Sequence, residues 1–269
     1  MVNKSRSRFI PFEACYNFRD LGGYAALHNR PVRRGRLFRS MTPQYMTEAD
    51  VARAAALNIG LVIDLRGDRY GSSGALGESP ARRIAVGPSF LRNLAELPPE
   101  ATALMAAPPE DALPRLLQAY GPSFAEAVSA MSAQLEGATL FHCRLGKDRT
   151  GVLAALLLKL LRVSDADVVE DYLLTGYFEP EMKQLLARHE DVAGSREPRV
   201  AREPVSRRAI ECVLERLESQ YGSAYNYFQR LGVPAAALDS LIEGLLEPIE
   251  QTAARAEVAL PFLTSAHAN

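Results

Sequence analysis

The stretch ATLFHCRLGKDRTGVLAALLLKLLRV, residues 138–163, decides the fold. Its first four residues are apolar or β-branched and predict a buried strand. Its end, Val152 to Val163, is apolar on nearly every side, which is typical of a helix in the centre of a protein. His142 to Gly151 connects the two. A buried strand that leads through a short loop into a buried helix is typical of an α/β protein.

Strands and helices alternate before this stretch, and helices dominate after it. Strands are predicted at Arg36–Ser40, Ile59–Leu65 and Arg83–Val86, and helices at 47–57, 124–135, 164–175, 205–219 and 235–246. Two of these helices begin with capping residues, Thr47 and Ser164, that have an aspartate three positions later. The pattern predicts an α/β fold with a short, mostly parallel sheet flanked by helices and a helical carboxyl-terminal half.

The length of 269 residues fits one large domain, which we place at residues 1–249. Six of the seventeen prolines lie within residues 97–122. Proline removes a backbone donor and interrupts helices and central strands. We therefore expect a lid, an insertion or a surface loop at residues 95–122 rather than a core element. Residues 250–269 are predicted to form a weakly structured tail.

The composition is that of a soluble globular protein. Thirty-one basic and 32 acidic residues give a net charge of −1, which does not favour nucleic acid binding. The first forty residues have nine basic side chains and two acidic ones. This excess is explained either by an ordinary charged surface or by a positive rim that attracts an anionic substrate.

Metal, cofactor and membrane-spanning signals are missing from the sequence. Three cysteines without a CxxC pair and four histidines without ligand spacing predict neither a metal nor a cofactor. The longest apolar run is too short to span a bilayer, and no Sec-type signal peptide is visible. We expect a cytoplasmic protein, or one exported without such a signal. It has no predicted transmembrane segment, and peripheral contact with a membrane stays open. The pattern predicts no particular oligomeric state.

The loop from Cys143 to Arg149 has the residues of a nucleophilic site. Backbone N–H groups converge at a helix N-terminus and can bind an oxyanion there, so a cysteine at its mouth has a lowered pKa and is a nucleophile at neutral pH. Arg149 offers a planar fork for two phosphate oxygens. Thr150 can donate a hydrogen bond to the sulfur. This combination predicts metal-independent cleavage of phosphate esters through a phosphocysteine.

The loop and its flanking blocks resemble a known family. His142-Cys-Arg-Leu-Gly-Lys-Asp-Arg-Thr-Gly151 is similar to the HCxxGKDRTG loop of the bacterial tyrosine phosphatases that include secreted mycobacterial and Listeria dual-specificity enzymes. The other similar blocks are Asn17-Phe-Arg-Asp-Leu-Gly-Gly23, Arg34-Gly-Arg-Leu-Phe-Arg-Ser40, Val62-Ile-Asp-Leu-Arg66, Asp171-Tyr-Leu-Leu174, Tyr221-Gly-Ser223 and Leu231-Gly232. The resemblance extends over residues 12–245.

This resemblance implies a protein-tyrosine-phosphatase-like fold with Cys143 as the phosphocysteine nucleophile and Arg149 as a phosphate ligand. The loop that would surround the phosphate comprises Arg144, Leu145, Gly146, Lys147, Asp148 and Arg149. Lys147 adds a positive charge that suits phosphoinositide headgroups as well as phosphotyrosine. Members of the family act on phosphotyrosine, on phosphoserine and phosphothreonine, and on phosphoinositides.

Two aspartates compete for the role of the general acid that protonates the leaving oxygen. Asp148 lies in the loop itself and resembles the loop aspartate that serves as the acid in myotubularin-like lipid phosphatases. Asp64 ends a predicted strand, where a salt bridge with Arg66 explains it equally well. We favour Asp148 because a position in the loop guarantees proximity to the leaving group.

His142, Arg19 and Asp20 are supporting candidates. His142 would hold the loop through a hydrogen bond. Arg19 and Asp20 lie in a glycine-rich turn, where a structural ion pair and a pocket wall both fit the sequence. Cys15 precedes that turn and is expected to be a buried small side chain, although a protective disulfide with an oxidised Cys143 is a further hypothesis.

The leading hypothesis is a cysteine-dependent, metal-independent phosphatase of phosphotyrosine proteins, with dual specificity left open. A phosphoinositide phosphatase would use the same mechanism. A pseudophosphatase would bind phosphorylated partners without turnover, but the intact Cys143 and Arg149 argue against it. A rhodanese-type sulfurtransferase also uses a cysteine loop after a strand, and the full loop motif disfavours it.

Overall fold

The computed structural model describes residues 8–67, 81–88, 102–103, 106–190 and 203–248. Five strands form one sheet in the order β1-β2-β5-β3-β4, and all neighbours are parallel except β1 and β2. The strands are β1 (Arg19–Asp20), β2 (Leu37–Ser40), β3 (Ile59–Asp64), β4 (Arg82–Ala85) and β5 (Ala138–His142). The strand predicted from residues 138–141 is thus the central one.

Helices flank the sheet and fill the carboxyl-terminal half, which confirms the predicted fold class. They are α1 (Glu48–Ala55), α2 (Pro109–Ala119), α3 (Gly121–Ser132), α4 (Asp148–Leu160), α5 (Asp165–Leu173), α6 (Glu179–Glu190), α7 (Arg207–Tyr221), α8 (Ala224–Arg230) and α9 (Ala235–Leu245). Short 3-10 turns lie at Leu27–Asn29, Pro43–Tyr45 and Leu174–Phe178. The side chains of Thr47 and Ser164 cap α1 and α5 as predicted, each accepting a backbone N–H three residues later.

The sheet separates two apolar layers. Successive residues of a strand point to opposite faces, so Phe141 and Leu140 of β5 belong to different layers. The larger layer contains α4, which is buried over nearly its whole length. The smaller layer includes Phe38 of β2 and Met182 of α6. Because both layers pack on β5, the loop that follows this strand starts from the best-supported part of the sheet.

The lid expected at residues 95–122 is wrong in its second half, because α2 is a helix of the larger apolar layer that packs on α7. Pro109 lies in the first turn, where no backbone donor is required. Pro114 inside the helix costs about 3 kcal/mol. The compensating burial, at roughly 1.5–3 kcal/mol per side chain, comes from Leu113, Leu116 and Leu117. Most of the first half, and the expected tail at 250–269, lie outside the described residues.

Four of the basic side chains that the structure describes in the first forty residues do not contribute to a positive rim at the loop after β5. Arg19 and Arg39 are buried in the interior. Arg30 pairs with Glu243 near the end of α9. Arg36 directly precedes β2 and therefore lies at the amino end of the parallel strands, whereas the loop after β5 lies at their carboxyl ends. In the part of the chain described, no helix has the length and apolar character that a membrane span requires.

Candidate active site

The predicted catalytic loop joins the carboxyl end of β5 to the first turn of α4. Cys143 directly follows the strand and is buried, with 3% of its surface exposed. Because α4 begins at Asp148, Arg149 and Thr150 lie in its first turn. Ligands of open α/β sheets bind outside the carboxyl ends of the strands, where helix N-termini also attract anions. The loop therefore has the position that an anion site requires.

The first two carbonyl groups of the loop are tied to the surrounding protein. The Cys143 carbonyl oxygen lies 3.1 Å from His142 Nδ1, and since a carbonyl can only accept, the proton is on Nδ1. The Arg144 carbonyl accepts the backbone N–H of Thr42 at 2.9 Å. The hydrogen bond by which His142 was expected to hold the loop is therefore present.

The next two carbonyl groups are held by buried side chains. Asn17 Nδ2 donates to the carbonyl oxygens of Leu145 and Gly146 at 3.2 and 3.1 Å. Arg39 Nη2 donates to the same Gly146 oxygen at 2.7 Å. All four carbonyls from Cys143 to Gly146 thus point into hydrogen bonds outside the loop.

Because the peptide bond is planar, the direction of each tied carbonyl also fixes the direction of the N–H group that follows it. In a trans peptide the N–H of one residue is antiparallel to the carbonyl of the residue before it, and the described residues include no cis bond. Each N–H group that follows one of the four tied carbonyls therefore points away from the partner of that carbonyl. These N–H groups belong to Arg144, Leu145, Gly146 and Lys147. Successive N–H groups that are turned away from the surrounding protein can form a nest for an oxyanion.

Gly146 allows the loop to approach the sheet closely. Its φ of +66° lies in the left-handed region, and a Cβ there would be 2.2 Å from the carbonyl oxygen of Ser40 at the end of β2. Glycine is the residue that avoids both the strain and the collision. The loop can therefore pack directly on the backbone of β2.

Arg149 is directed to the end of a neighbouring strand. Its Nη1 donates to the carbonyl of Leu65, just after β3, at 3.4 Å. Leu65 in turn donates its backbone N–H to the His142 carbonyl at 2.8 Å. The guanidinium is thereby held at the edge of the sheet from which the loop starts.

Asp64 is enclosed by Arg66, as the salt-bridge explanation predicted. The Arg66 side chain donates three hydrogen bonds to the carboxylate at 2.7–3.1 Å, and its backbone N–H adds another at 2.9 Å. Burial would raise the pKa of Asp64, but His142 and the Arg66 guanidinium outweigh burial and hold the pKa below its usual value. The carboxyl is ionised at neutral pH and so has no proton to donate.

His142 itself is completely buried. Burial lowers its pKa to about 4, although Asp64 opposes the change. The imidazole is neutral at pH 7 with its proton on Nδ1, and this is the form that holds the Cys143 carbonyl. His142 therefore orients the loop as a neutral donor.

Behind the loop lies a buried ionic network. Arg19 Nε and Arg39 Nη1 donate to different oxygens of the Asp171 carboxylate, at 3.0 and 2.7 Å. Burial would raise the pKa of Asp171, but the two guanidinium groups keep it below its usual value. Arg19 also donates to Asn17 Oδ1, which turns the Asn17 Nδ2 towards the loop. The network thus connects α5 and β1 to the loop carbonyls.

Arg19 and Asp20 do not form the ion pair that the turn suggested. Arg19 pairs with Asp171, because the two side chains meet in the interior. Asp20 instead accepts the backbone N–H groups of Gly22 and Gly35 at 2.7 and 2.8 Å. Its role in the structure is to hold two turns together.

Lys147 contacts the carboxyl-terminal half of the protein. Its side chain is 2% exposed, and Nζ donates to the Glu203 carbonyl and lies 3.7 Å from Glu179 Oε1 at the start of α6. The charge that was expected beside the phosphate is therefore already engaged with an acidic side chain and a backbone oxygen.

Two further sequence expectations concern sulfur. Thr150 is fully buried in the first turn of α4, and its hydroxyl makes no hydrogen bond with any residue the model describes, so the expected bond to Cys143 is not formed. Cys15 is buried, which raises its pKa, and its thiol faces the Met41 carbonyl at 3.8 Å. Its predicted protective disulfide stays a prediction, and a raised pKa disfavours it.

In the sequence, Asn17, Arg39 and Asp171 stand out only as members of the similar blocks, and none of them was given a catalytic role. One signal was available, since Arg39 lies within the apolar strand candidate 36–40, where a charged side chain requires a buried partner. The identity of that partner, Asp171, depends on the tertiary fold. Over the described ranges, no cluster of three or more acidic, histidine or cysteine side chains could hold a metal ion.

Comparisons with known proteins show which family the chain resembles. The model of the tyrosine phosphatase family matches residues 10–247. A Cupriavidus necator protein, provisionally named a tyrosine-protein phosphatase, is 30% identical over 230 residues, 82% of each chain. A tyrosine-protein phosphatase of Nostoc commune is 32% identical over 210 residues, 73% of this chain and 69% of that one. The crystal structure of P. aeruginosa TpbA aligns with 72% of this chain and 96% of its own, at 20% identity and a TM-score of 0.31.

Proposed function

Since this chain belongs to the tyrosine phosphatase family, we propose that it hydrolyses phosphotyrosine in proteins with Cys143 as its nucleophile. The observation that supports this most is the orientation of the loop. Four consecutive carbonyls, from Cys143 to Gly146, are tied to the surrounding protein, so each of the four N–H groups that follow them points away from its carbonyl's partner. With Arg149 in the adjoining helix turn, this loop offers the equatorial oxygens of a phosphoryl group several donors at once.

The reaction would proceed in two displacements. The Cys143 thiolate attacks phosphorus, an S–P bond forms, and the P–O bond of the ester breaks with its electron pair moving to the tyrosine oxygen. Asp148 donates a proton to that oxygen. The resulting carboxylate then accepts a proton from water, whose oxygen attacks phosphorus as the S–P bond breaks. Inorganic phosphate leaves and the thiolate is restored.

We assign the general acid to Asp148. It is the first residue of α4 and shares the loop with the nucleophile. Asp64, its competitor, is bound by Arg66 in a buried salt bridge and has a lowered pKa. An acid that works at neutral pH needs the opposite change, a raised pKa.

Two sequence features had pointed to a phosphoinositide substrate, namely Lys147 and the basic first forty residues, and four of the described side chains concerned lie away from the mouth of the loop. Lys147 is buried against Glu179. Of the arginines described in the first forty residues, Arg39 is buried, Arg30 is paired with Glu243, and Arg36 lies at the amino end of the parallel strands. The geometry therefore favours a protein substrate. The same assay tests dual specificity, because it includes a phosphothreonine peptide.

The decisive experiment measures phosphate release without metal from a phosphotyrosine peptide, a phosphothreonine peptide and a phosphoinositide panel. Wild type should release phosphate most rapidly from the phosphotyrosine peptide, and Cys143→Ser should release none. Cys212→Ser is the matched control, since this half-buried cysteine of α7 should be dispensable. Tight binding of phosphopeptide without any release by folded, reduced wild type would instead identify a pseudophosphatase.

A further inference from the structure

Arg39 is a completely buried arginine at the back of the catalytic loop. It extends from β2, and its guanidinium makes two short hydrogen bonds, one to Asp171 and one to the Gly146 carbonyl, both at 2.7 Å. Its side chain has no exposed surface. A structural arginine in an apolar interior would be expected to have its own carboxylate partner.

The network around Arg39 contains more positive than negative charge. Arg19 and Arg39 share one carboxylate, that of Asp171, which leaves one positive charge in excess. The other hydrogen-bonding members are Asn17, Thr175 and Tyr24. The first two are uncharged, and burial raises the pKa of Tyr24, which keeps it neutral as well.

Arg39 remains a cation at neutral pH. Burial and the neighbouring Arg19 lower its pKa to about 10, while Asp171 opposes the change. A buried charge without a partner is costly, so an excess cation that persists in an interior requires a nearby anion in the functional state.

The peptide group between Gly146 and Lys147 connects this cation to the loop. Arg39 donates to the Gly146 carbonyl, and the antiparallel N–H of the same peptide belongs to Lys147 and points to the opposite side, the side of the proposed anion nest. A cation on the oxygen of a peptide polarises the group and strengthens its N–H as a donor. The Cys143 thiolate and the transferred phosphoryl group are the anions at this site.

We propose that Arg39 is a positioning residue that stabilises the Cys143 thiolate and the phosphoryl group through the Gly146–Lys147 peptide. This inference rests on the proposed function, because it takes Cys143 as the nucleophile. It assigns the excess charge of the buried network to catalysis, whereas the hydrogen bonds to Asp171 hold the side chain in place. The chemistry it serves is that of any phosphate monoester bound in the loop.

Other charged groups also act on the Cys143 thiolate and on the bound phosphoryl group, and they have to stay the same in all variants that are compared. The titratable and charged groups around Arg39 are Arg19 on β1, Tyr24 between β1 and β2, Asp171 and Tyr172 on α5, Cys143, Lys147, Asp148 and Arg149 in the loop and α4, and Glu179 on α6. Variants at position 39 leave all of them in the chain, so a difference between two such variants reports the charge of residue 39.

The experiment compares Arg39→Gln, which removes the charge, with Arg39→Lys, which keeps it. The pH dependence of Cys143 alkylation by iodoacetamide is followed by mass spectrometry of the Cys143 peptide. We expect the midpoint to rise by about one pH unit in Arg39→Gln, the effect of losing one opposite charge, and by less than half as much in Arg39→Lys. The kcat should fall by about tenfold to a hundredfold in Arg39→Gln and be partly rescued in Arg39→Lys.

Equal shifts in the two folded variants, or no shift in Arg39→Gln, would overturn the proposal. If Arg39→Gln does not fold, Asp171→Asn provides the test, because it increases the positive excess: a midpoint at or below that of wild type supports the proposal, and a raised midpoint contradicts it. A different result would contradict the proposed function itself: in wild type, Cys143 would be alkylated no faster at neutral pH than an ordinary cysteine. Circular dichroism and thermal unfolding establish folding for every variant.

Discussion

Asn17 and Arg39 donate to one and the same acceptor, the carbonyl oxygen of Gly146, at 3.1 and 2.7 Å. The two side chains reach it from different segments, Asn17 from the turn before β1 and Arg39 from β2. A carbonyl has two lone pairs, and here both are used. The direction of this peptide, and with it the direction of the following N–H, is therefore fixed by the interior of the protein before any substrate binds.

Asn17→Gly should lower kcat by about tenfold to a hundredfold, because the Leu145 carbonyl loses its Asn17 donor, the Gly146 carbonyl keeps only Arg39, and the N–H groups behind them are less firmly directed. Unfolding free energy should fall by about 1–3 kcal/mol. Asn17→Ala is the companion variant: its φ of +59° adds strain of about 1 kcal/mol without a further change in kcat. Steady-state kinetics and urea unfolding measure both effects, and full kcat in folded Asn17→Gly would contradict the orientation argument.

Gly146→Ala should abolish activity. A Cβ at this position would be 2.2 Å from the Ser40 carbonyl oxygen, so the loop must move away from β2. Gly232→Ala is a matched control, since its φ of +88° is also left-handed but a Cβ there has nothing within 4 Å. The control should lose about 1 kcal/mol of stability and keep its kcat. Equal kcat values in the two variants would show that the close contact with β2 is dispensable.

The local parts of the fold were predictable from the sequence, and the parts that depend on distant contacts were not. The strand, the loop and the helix of residues 138–163 were predictable because they are adjacent in the chain. The caps Thr47 and Ser164 were predictable for the same reason. Asn17 acts on Gly146 from more than a hundred residues away, and no periodicity encodes such a contact.

The errors have physical reasons as well. The prolines of α2 indicated a loop, but burial of three leucines outweighs the cost of Pro114. The position of the Lys147 ammonium was not predictable either, since its long side chain reaches Glu179, and its role at the phosphate stays a prediction. Neither outcome follows from residue type alone, since both depend on which element packs nearby.

Asp148→Asn should lower kcat strongly for a phosphotyrosine peptide and much less for an aryl phosphate whose phenol is already acidic. A good leaving group needs no proton, so the ratio of the two losses identifies a general acid; we expect about a hundredfold for the peptide. Asp64→Asn is the comparison. It breaks a buried salt bridge and should destabilise the fold by about 3–5 kcal/mol, with losses that do not depend on the leaving group. The reverse pattern would assign the acid to Asp64.

Stability should decrease as the pH falls from about 6.5 to about 4, because His142 is protonated in the unfolded chain over this range but not in the folded protein. The unfolded state binds the additional proton, so the loss amounts to about 3 kcal/mol over the window. The pKa values of Asp64 and Asp171 are lowered by folding, so these two carboxyl groups reduce the stability only when the pH falls below the ordinary carboxyl pKa of about 4. Urea unfolding at several pH values measures the slope. His142→Asn should flatten it, and His28→Asn, at an exposed histidine, should not.

Lys147→Met should affect stability more than substrate choice. The ammonium already has Glu179 and the Glu203 carbonyl as partners, and reaching a substrate would require it to leave both. A double-mutant cycle with Glu179→Gln should give a coupling of about 0.5–3 kcal/mol in unfolding free energy. This coupling would show that the contact joins the loop to α6 in solution.

The same variant separates the two substrate classes. If Lys147 stays with Glu179 during turnover, the ratio of kcat/KM for phosphotyrosine peptide to that for phosphoinositide changes by less than about threefold in Lys147→Met, since neither substrate loses a contact. A loss confined to phosphoinositide, of about tenfold or more, would mean that Lys147 leaves Glu179 for the lipid headgroup. Glu179→Gln sharpens the comparison, because it removes the competing carboxylate: an increase in phosphoinositide hydrolysis would identify Glu179 as the group that keeps Lys147 away from the substrate.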